Sequence, residues 1–233
     1  HELRTPLNAI MGYTEMVIKG VYGDLSERQR ERLQRVYDNA THLLMLINDV
    51  LDLAKIESGR MTLNFEALHV QPLIEAAIAQ IAPLAEAKQL TLRAEIPDNL
   101  PMVEADTVRL RQIVLNLMSN AVKFTREGGV VVRAYGWELP DFVEGVPLMP
   151  GRWLCIAVED SGIGIAKDDF ELIFDAFRQV DGSSVREFAG TGLGLPITRQ
   201  LVEMQRGKVW LESEIGRGST FTVALPALPQ AAD

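Results

Sequence analysis

The chain has 233 residues, 47% hydrophobic and 24% charged, enough for one large domain or two modest ones, each with its own core. Its formal charge of −9, from 23 Lys and Arg against 32 Asp and Glu, speaks against nucleic acid as a partner, because a phosphate backbone needs a basic face. The single Cys155 forms no internal disulfide and fits a reducing compartment; no stretch approaches the roughly 20 apolar residues of a membrane span, so a soluble piece is expected. It begins at His1 rather than Met, which points to a piece of a longer protein.

Residues 1–57 read as two helices broken apart at Gly20, Gly23 and Asp24, with Ser26-Glu27-Arg28-Gln29 offering a capping box for the second. Leu3, Leu7, Ile10, Thr14 and Val17 in the first helix follow spacings of 3 and 4, as do Leu33, Val36, Ala40, Leu43, Ile47, Val50 and Ala54 in the second. Two such helices bury their stripes poorly alone. Either the hairpin pairs with a copy of itself into a four-helix bundle, the favoured reading, or the stripes lie against the rest of the chain. Ser58-Gly59 then ends the helix.

From about residue 61 short strands alternate with longer helices, which marks a second domain and sets the expected division at 1–60 and 61–233. Strands are predicted at Met61 to Leu68 and Leu90 to Ile96, with a helix from Pro72 to Lys88 between them, kinked at Pro83. Asp106 can cap a helix running to Phe124, and Val130 to Tyr135 and Trp153 to Glu159 are apolar strands flanking a Pro-rich hairpin loop, Gly136 to Arg152. A Gly-rich region, Ser161 to Gly194, precedes a helix after Pro196 and a closing hairpin of Lys208 to Ser213 and Ser219 to Leu225. The tail from Pro226 is expected to fray. The fold class is α+β, with mostly antiparallel late strands.

Three clusters carry chemistry. Glu159-Asp160-Ser161-Gly162-Ile163-Gly164 follows a strand, and Gly190-Thr191-Gly192-Leu193-Gly194-Leu195 precedes a helix. Each alone is a common turn, but glycines ahead of a helix let backbone N–H groups and the positive helix end meet a phosphate. Neither fits the P-loop or dinucleotide-binding pattern. The third cluster sets Asn116, Asn120 and Lys123 on one face of an otherwise apolar helix. Asn is a poor helix former, so two of them one turn apart call for a specific reason beyond a solvated stripe. An amide oxygen can ligate Mg²⁺ beside nucleotide phosphates, and a Lys ammonium can meet those phosphates.

His1-Glu2-Leu3-Arg4-Thr5-Pro6-Leu7-Asn8 resembles the H box of sensor histidine kinases, and the three clusters resemble that family's N box and two glycine boxes in the right order. Phe174-Asp175-Ala176-Phe177 is similar to its F box, and Gly216-Arg217-Gly218-Ser219-Thr220-Phe221 to its closing hairpin. The resemblance implies a dimerization and phosphotransfer hairpin, forming a dimeric four-helix bundle, followed by an ATP-binding α/β sandwich with a mixed sheet, of the kind shared with gyrase, Hsp90 and MutL.

It further implies that His1 is phosphorylated from ATP and passes the phosphoryl group to an aspartate on a response-regulator receiver domain. Asn120 becomes the Mg²⁺ ligand, Asn116 and Lys123 work near the phosphates, and Asp160 accepts the adenine amino hydrogen bond. Gly162, Gly164, Gly190, Thr191, Gly192, Leu193 and Gly194 belong to the nucleotide cradle and lid, with Phe177, Arg186 and Thr220 as further contacts. The resemblance makes the protein cytoplasmic, its full-length form open to membrane anchoring, with no nucleic acid bound and no direct membrane contact in this piece. Departures are Ala189 before the second glycine box, Pro196 in place of a small residue, and Gln205-Arg206 before Gly207; these bear on lid flexibility.

The chemistry is consistent from below. Imidazole with an ordinary pKa near ~6.5 is largely neutral at cellular pH, leaving a lone pair for in-line attack on phosphorus. Glu2 can orient the ring or take its proton, and Thr5, one turn on, can position a water for a phosphatase reaction; ordinary helix-start chemistry is the alternative for both. Gyrase-type ATPases resemble the chain at the N box but carry a water-activating Glu where Asn116 stands, and an amide cannot take that proton. A degenerate nucleotide-binding scaffold is the remaining alternative.

Overall fold

The computed structural model describes residues 2–141, 147–178 and 192–229. The chain divides into two compact units, 1–61 and 62–233.

The first unit is a helical hairpin, α1 (Arg4–Ile18) and α2 (Glu27–Glu57). The expected capping box is present: the Ser26 N–H donates to Gln29 Oε1 at 2.9 Å, and Ser26 accepts from the Gln29 backbone in return. Arg30 donates to the Ile18 carbonyl at 2.7 Å, closing the end of α1, and Arg4 ties the helices together through two bonds to Asn48 Oδ1 at 3.0 and 2.6 Å. Gly59, at φ +66°, follows the Ser58 C-cap as the left-handed residue the sequence anticipates. Of the two stripes, Leu7, Thr14 and Ala40 are buried, whereas Leu3, Ile10, Val36, Leu43 and Val50 are exposed.

In the second unit, β1 (Glu66–Leu68) pairs antiparallel with β3 (Val103–Ala105). The main sheet has the order β2-β4-β5-β7-β6, from β2 (Thr91–Glu95), β4 (Gly129–Leu139), β5 (Gly151–Asp160), β6 (Lys208–Glu214) and β7 (Gly218–Pro226). Only β2·β4 is parallel. Helices α3 (Val70–Ala87), α4 (Thr107–Phe124) and α5 (Gly194–Met204) supply the second layer. Strand alternation fixes the inner face: Ala134, Ile156 and Val223 lie in adjacent register, and all are buried, as are Ile113, Leu117 and Leu201 from the helices. On the outer face Tyr135, Trp137, Trp153 and Trp210 pack over Leu139, Leu148, Cys155 and Ala224. Burial pushes the Cys155 thiol up to about 12.

Three expectations are corrected. The strand predicted from Met61 shrinks to Glu66–Leu68, because its only partner, β3, is three residues long and follows Pro101, which has no N–H to donate. The loop predicted at Gly136 to Arg152 loses its two ends to strand: the β4·β5 ladder continues through Trp137↔Trp153 to Leu139↔Gly151 because outer-face aromatics pack there. Finally, the start of the tail is held rather than frayed, since Ala227 N–H donates to the Arg152 carbonyl at 3.0 Å and Leu228 N–H to that of Met102 at 2.8 Å.

Candidate functional site

α4 begins at Asp106, whose Oδ1 accepts from the Arg109 N–H at 3.0 Å and whose Oδ2 accepts from the Asn64 N–H at 2.9 Å. The Asp106 N–H donates to Oε1 of buried Gln205 at 2.9 Å, and Gln205 Nε2 donates to the Leu201 carbonyl at 3.1 Å. The unusual Gln205 of the sequence therefore joins the start of α4 to the end of α5. So pinned, α4 buries Leu110, Ile113, Val114, Leu117, Met118, Ala121 and Val122 and leaves Asn116, Asn120 and Lys123 half-buried along one side.

That polar side is bracketed at both ends by glycines. At its start, a Cβ on Gly194 would collide with the Asn116 carboxamide, and Asn116 Nδ2 donates to Oγ1 of buried Thr198 at 2.8 Å. At its end, a Cβ on Gly162 would lie 2.7 Å from both Phe124 O and Asp160 Oδ1. The eight helical steps from 116 to 124 span about 12 Å, so the two glycine clusters flank one short polar track. Asn120 lies midway, and its amide has no hydrogen-bond partner among the described residues.

Asp160 closes β5 facing the helices. It is 8% exposed, and burial raises its pKa; the N–H groups of Gly162, at 2.8 Å, and Ser219 pull it back down, and Glu159 adds to the rise. The carboxylate is thus held by two backbone donors in a poorly solvated place, a strong acceptor for a further N–H. Gly164, at φ +69°, presses against the Glu214 carbonyl, and Gly216 N–H donates to Ile163 O at 2.8 Å, so the first glycine loop is stitched to the β6–β7 turn. Lys123, at the same end of α4, has its pKa lowered, first by burial and then by the charge of Lys88. The polar side of α4 thus sets an amide without a protein partner beside an end where a buried carboxylate acceptor and a desolvated cation both lie, groups suited to the N–H of a base and to an anion.

Other predicted positions fall differently. Thr220 pairs with Glu159 in the β5·β7 ladder and so lies on the outer face of the sheet, opposite Asp160; this corrects its assignment to the nucleotide contacts, and Ser219, one residue earlier, is the inward residue that sequence reasoning missed. The Leu193 side chain is buried, so only its backbone is available to a ligand. Phe177 is exposed with φ +63°; its N–H donates to Gly192 O at 3.2 Å, which brings the two flanks of residues 179–191 together. Glu2 and Thr5 are exposed at the head of the hairpin. His1, Arg186, Gly190 and Thr191 lie outside the described residues. Thr198 also escaped the sequence reading, since a Thr inside an amphipathic helix carries no motif.

The fold and this track define a nucleotide-binding ATPase-like unit following a helical hairpin. Comparison with known families agrees: a profile described as the His Kinase A (phospho-acceptor) domain matches residues 1–59, and one described as the Histidine kinase-, DNA gyrase B-, and HSP90-like ATPase matches residues 105–229. The chain belongs to this ATPase family and carries the domain pair of a sensor histidine kinase. Among curated relatives it is 41% identical over 228 residues to the Non-motile and phage-resistance protein of Caulobacter vibrioides, covering 97% of this chain and 26% of that protein. It is 40% identical over 229 residues to the Circadian input-output histidine kinase CikA of Synechococcus elongatus, covering 97% and 29%. The chain therefore spans about a quarter of these relatives. Among solved structures, full-length ShkA in complex with AMPPNP superposes with a TM-score of 0.77 at 32% identity, over 100% of this chain and 45% of that one. The Acinetobacter baumannii histidine kinase AdeS, at 22% identity and TM-score 0.63, covers 97% of this chain and 98% of its own and shares the fold. Among the described residues no helix is long and apolar enough to cross a membrane.

Proposed function

We propose that the chain is the catalytic core of an ATP-dependent protein histidine kinase of a two-component system, which phosphorylates His1 and passes the phosphoryl group to an aspartate of a response-regulator receiver. The observation that carries the reading is the polar side of α4, with Asn116, Asn120 and Lys123 set between Gly194 and the Asp160-Ser161-Gly162 turn. Asp160 would accept the adenine amino group and Lys123 would meet the phosphates. Asn120 fits a Mg²⁺ ligand, being a neutral amide without a protein partner; among the described residues no cluster of three His, Cys, Asp or Glu could hold a metal, so phosphate oxygens and water would complete its shell. When bound, Mg²⁺ would offset charge on the phosphates.

In the transfer, a ring nitrogen of His1 forms a bond to the γ-phosphorus as the bond to the ADP oxygen breaks, and the ring proton passes to Glu2 or to water. The hairpin would act as a homodimer, its exposed Leu3, Ile10, Leu43 and Val50 covered by a second copy. Glu2 and Thr5 would also serve a phosphatase reaction on the receiver. Cytoplasmic location is part of the proposal, as is the use of a longer chain for sensing. Asn116 counts against an ATPase of the gyrase type: its amide nitrogen already donates to Thr198, and it has no basic site for a proton from water.

Incubation with γ-labelled ATP and Mg²⁺ tests the reading. Label that acid removes and alkali spares is expected, and His1→Gln should abolish it. Label that survives this substitution overturns the assignment of His1.

A further inference from the structure

We propose that Lys88, just beyond α3, is a positioning residue for the phosphate end of the site: its ammonium fastens the last turn of α4 and strengthens the positive field at Lys123. The inference rests on the reading of Lys123 as the phosphate-facing cation.

The last carbonyls of a helix have no N–H partner within it. In α4 the Ala121 carbonyl is taken by the N–H of Thr125, at 3.1 Å, and by its hydroxyl, at 2.7 Å. The next two would be left to water. Instead Lys88 Nζ donates to Val122 O at 2.9 Å and Lys123 O at 2.7 Å, with Thr125 O at 3.5 Å. An ammonium has three donors, which suits a set of converging carbonyls, and its charge meets the negative end of the helix. The turn so fastened carries both Asn120 and Lys123, the two groups proposed to face Mg²⁺ and phosphate.

Lys88 does more than hold the backbone. It grips Lys123 by that residue's own carbonyl, and its charge acts on the Lys123 ammonium, which burial already disfavours. The two partly desolvated cations act on each other by charge, and an anion arriving at Lys123 relieves both penalties. The arrangement makes the site more favourable to an oligophosphate than Lys123 alone would be. A plain helix cap would be indifferent to the ligand's charge, whereas a field at Lys123 acts on the phosphates and leaves the nucleoside part untouched.

The test compares ATP with adenosine, each titrated with Mg²⁺ into the whole chain and its Lys88→Met variant. ATP affinity should fall about tenfold and adenosine affinity should hold within about twofold, with Lys88→Arg restoring ATP binding because it keeps both charge and donors. If Lys88→Met does not fold, Lys88→Gln, which keeps amide donors without charge, should show the same selective loss. Equal losses for ATP and adenosine, or unchanged ATP affinity, overturn the inference. Lys123→Ala separates the two levels: if it leaves ATP affinity intact, the phosphate reading of Lys123 itself fails, whereas if it weakens ATP and the Lys88 variants do not, only the role of Lys88 fails.

Discussion

The hairpin and helix α4 leave opposite kinds of surface unfinished. In the hairpin, Leu3 is 65% exposed, Ile10 49%, Leu43 48% and Val50 45%, with only a few buried residues between the helices. In α4 seven apolar residues from Leu110 to Val122 are buried, and beside them two carboxamides and an ammonium stay half-buried. Apolar surface left in water calls for a protein partner, and polar groups left without partners inside an apolar frame call for a small polar ligand. The contrast teaches that each unit advertises what completes it: a second hairpin for one, a nucleotide with its phosphates for the other.

The sharpest way to break this comparison is to make the hairpin stripe polar. Leu43→Lys with Ile47→Lys would set like charges across a two-fold seam, at a cost of about 4 kcal/mol or more, roughly a thousandfold in dimer affinity. Sedimentation should report a monomer, and calorimetry should find nucleotide binding unchanged, because α4 lies in the other unit. A dimer that survives would place the seam elsewhere.

A second test strikes the second unit where its glycine loop is stitched to the sheet. Gly164→Ala must adopt φ +69° and drive a methyl into the Glu214 carbonyl. Left-handed strain and overpacking together cost about 2–4 kcal/mol, lowering the melting point of this unit by roughly 5–15 °C while leaving the hairpin's helicity in place. An unchanged melting point would mean that the stitch is dispensable.

Legibility divides along the same line. The helices of the hairpin, the capping box and the α4 cap were all readable, because each depends on neighbours within a few residues: Ser26 with Gln29, Asp106 with Arg109. The N box and first glycine cluster were likewise visible as an odd polar stripe and a turn. What the sequence hid depends on distant partners. β3 forms through distant partners: it pairs with β1 at Leu68↔Val103, Ala67↔Glu104 and Glu66↔Ala105, and Val103 also bridges Ala227. Thr198 gains meaning only from Asn116, and Lys88 only from the end of α4. Thr220 was misassigned because a one-residue step along a strand reverses the face, and nothing local sets that register.

Asp160 sharpens the ligand side of the comparison with a smaller effect. Asp160→Asn should weaken ATP by about 1–3 kcal/mol, ten- to a hundredfold, because the amide offers a mismatched donor where the adenine amino group needs an acceptor. The same substitution has a signed effect on stability. Burial raises the folded-state pKa of Asp160 above its unfolded value, so its stabilising contribution is complete below about 3.9 and is lost as pH rises through the folded pKa. The difference in melting point between Asp160→Asn and its parent, without nucleotide, should therefore be more favourable to the variant at pH 7 than at pH 4.5. A difference independent of pH would mean that the buried carboxylate carries no such penalty.

The smallest effect expected concerns hydrolysis and decides between kinase and ATPase chemistry on the same track. In a His1→Gln chain, release of inorganic phosphate from ATP should be near background, because the Asn116 amide cannot act as a base toward water. Adding Asn116→Glu supplies a carboxylate at the start of the polar track, where the Thr198 hydroxyl can donate to it in place of accepting from the amide. The new charge lies close to the proposed triphosphate, so ATP affinity should fall or hold rather than rise. A well-placed general base is worth about a hundredfold or more, but this one has no evolved geometry toward a water, so a gain below about tenfold is expected. Phosphate release measured at steady state checks both steps. Robust turnover by His1→Gln alone would overturn the kinase reading in favour of an ATPase, since it would require a base that the α4 track does not contain.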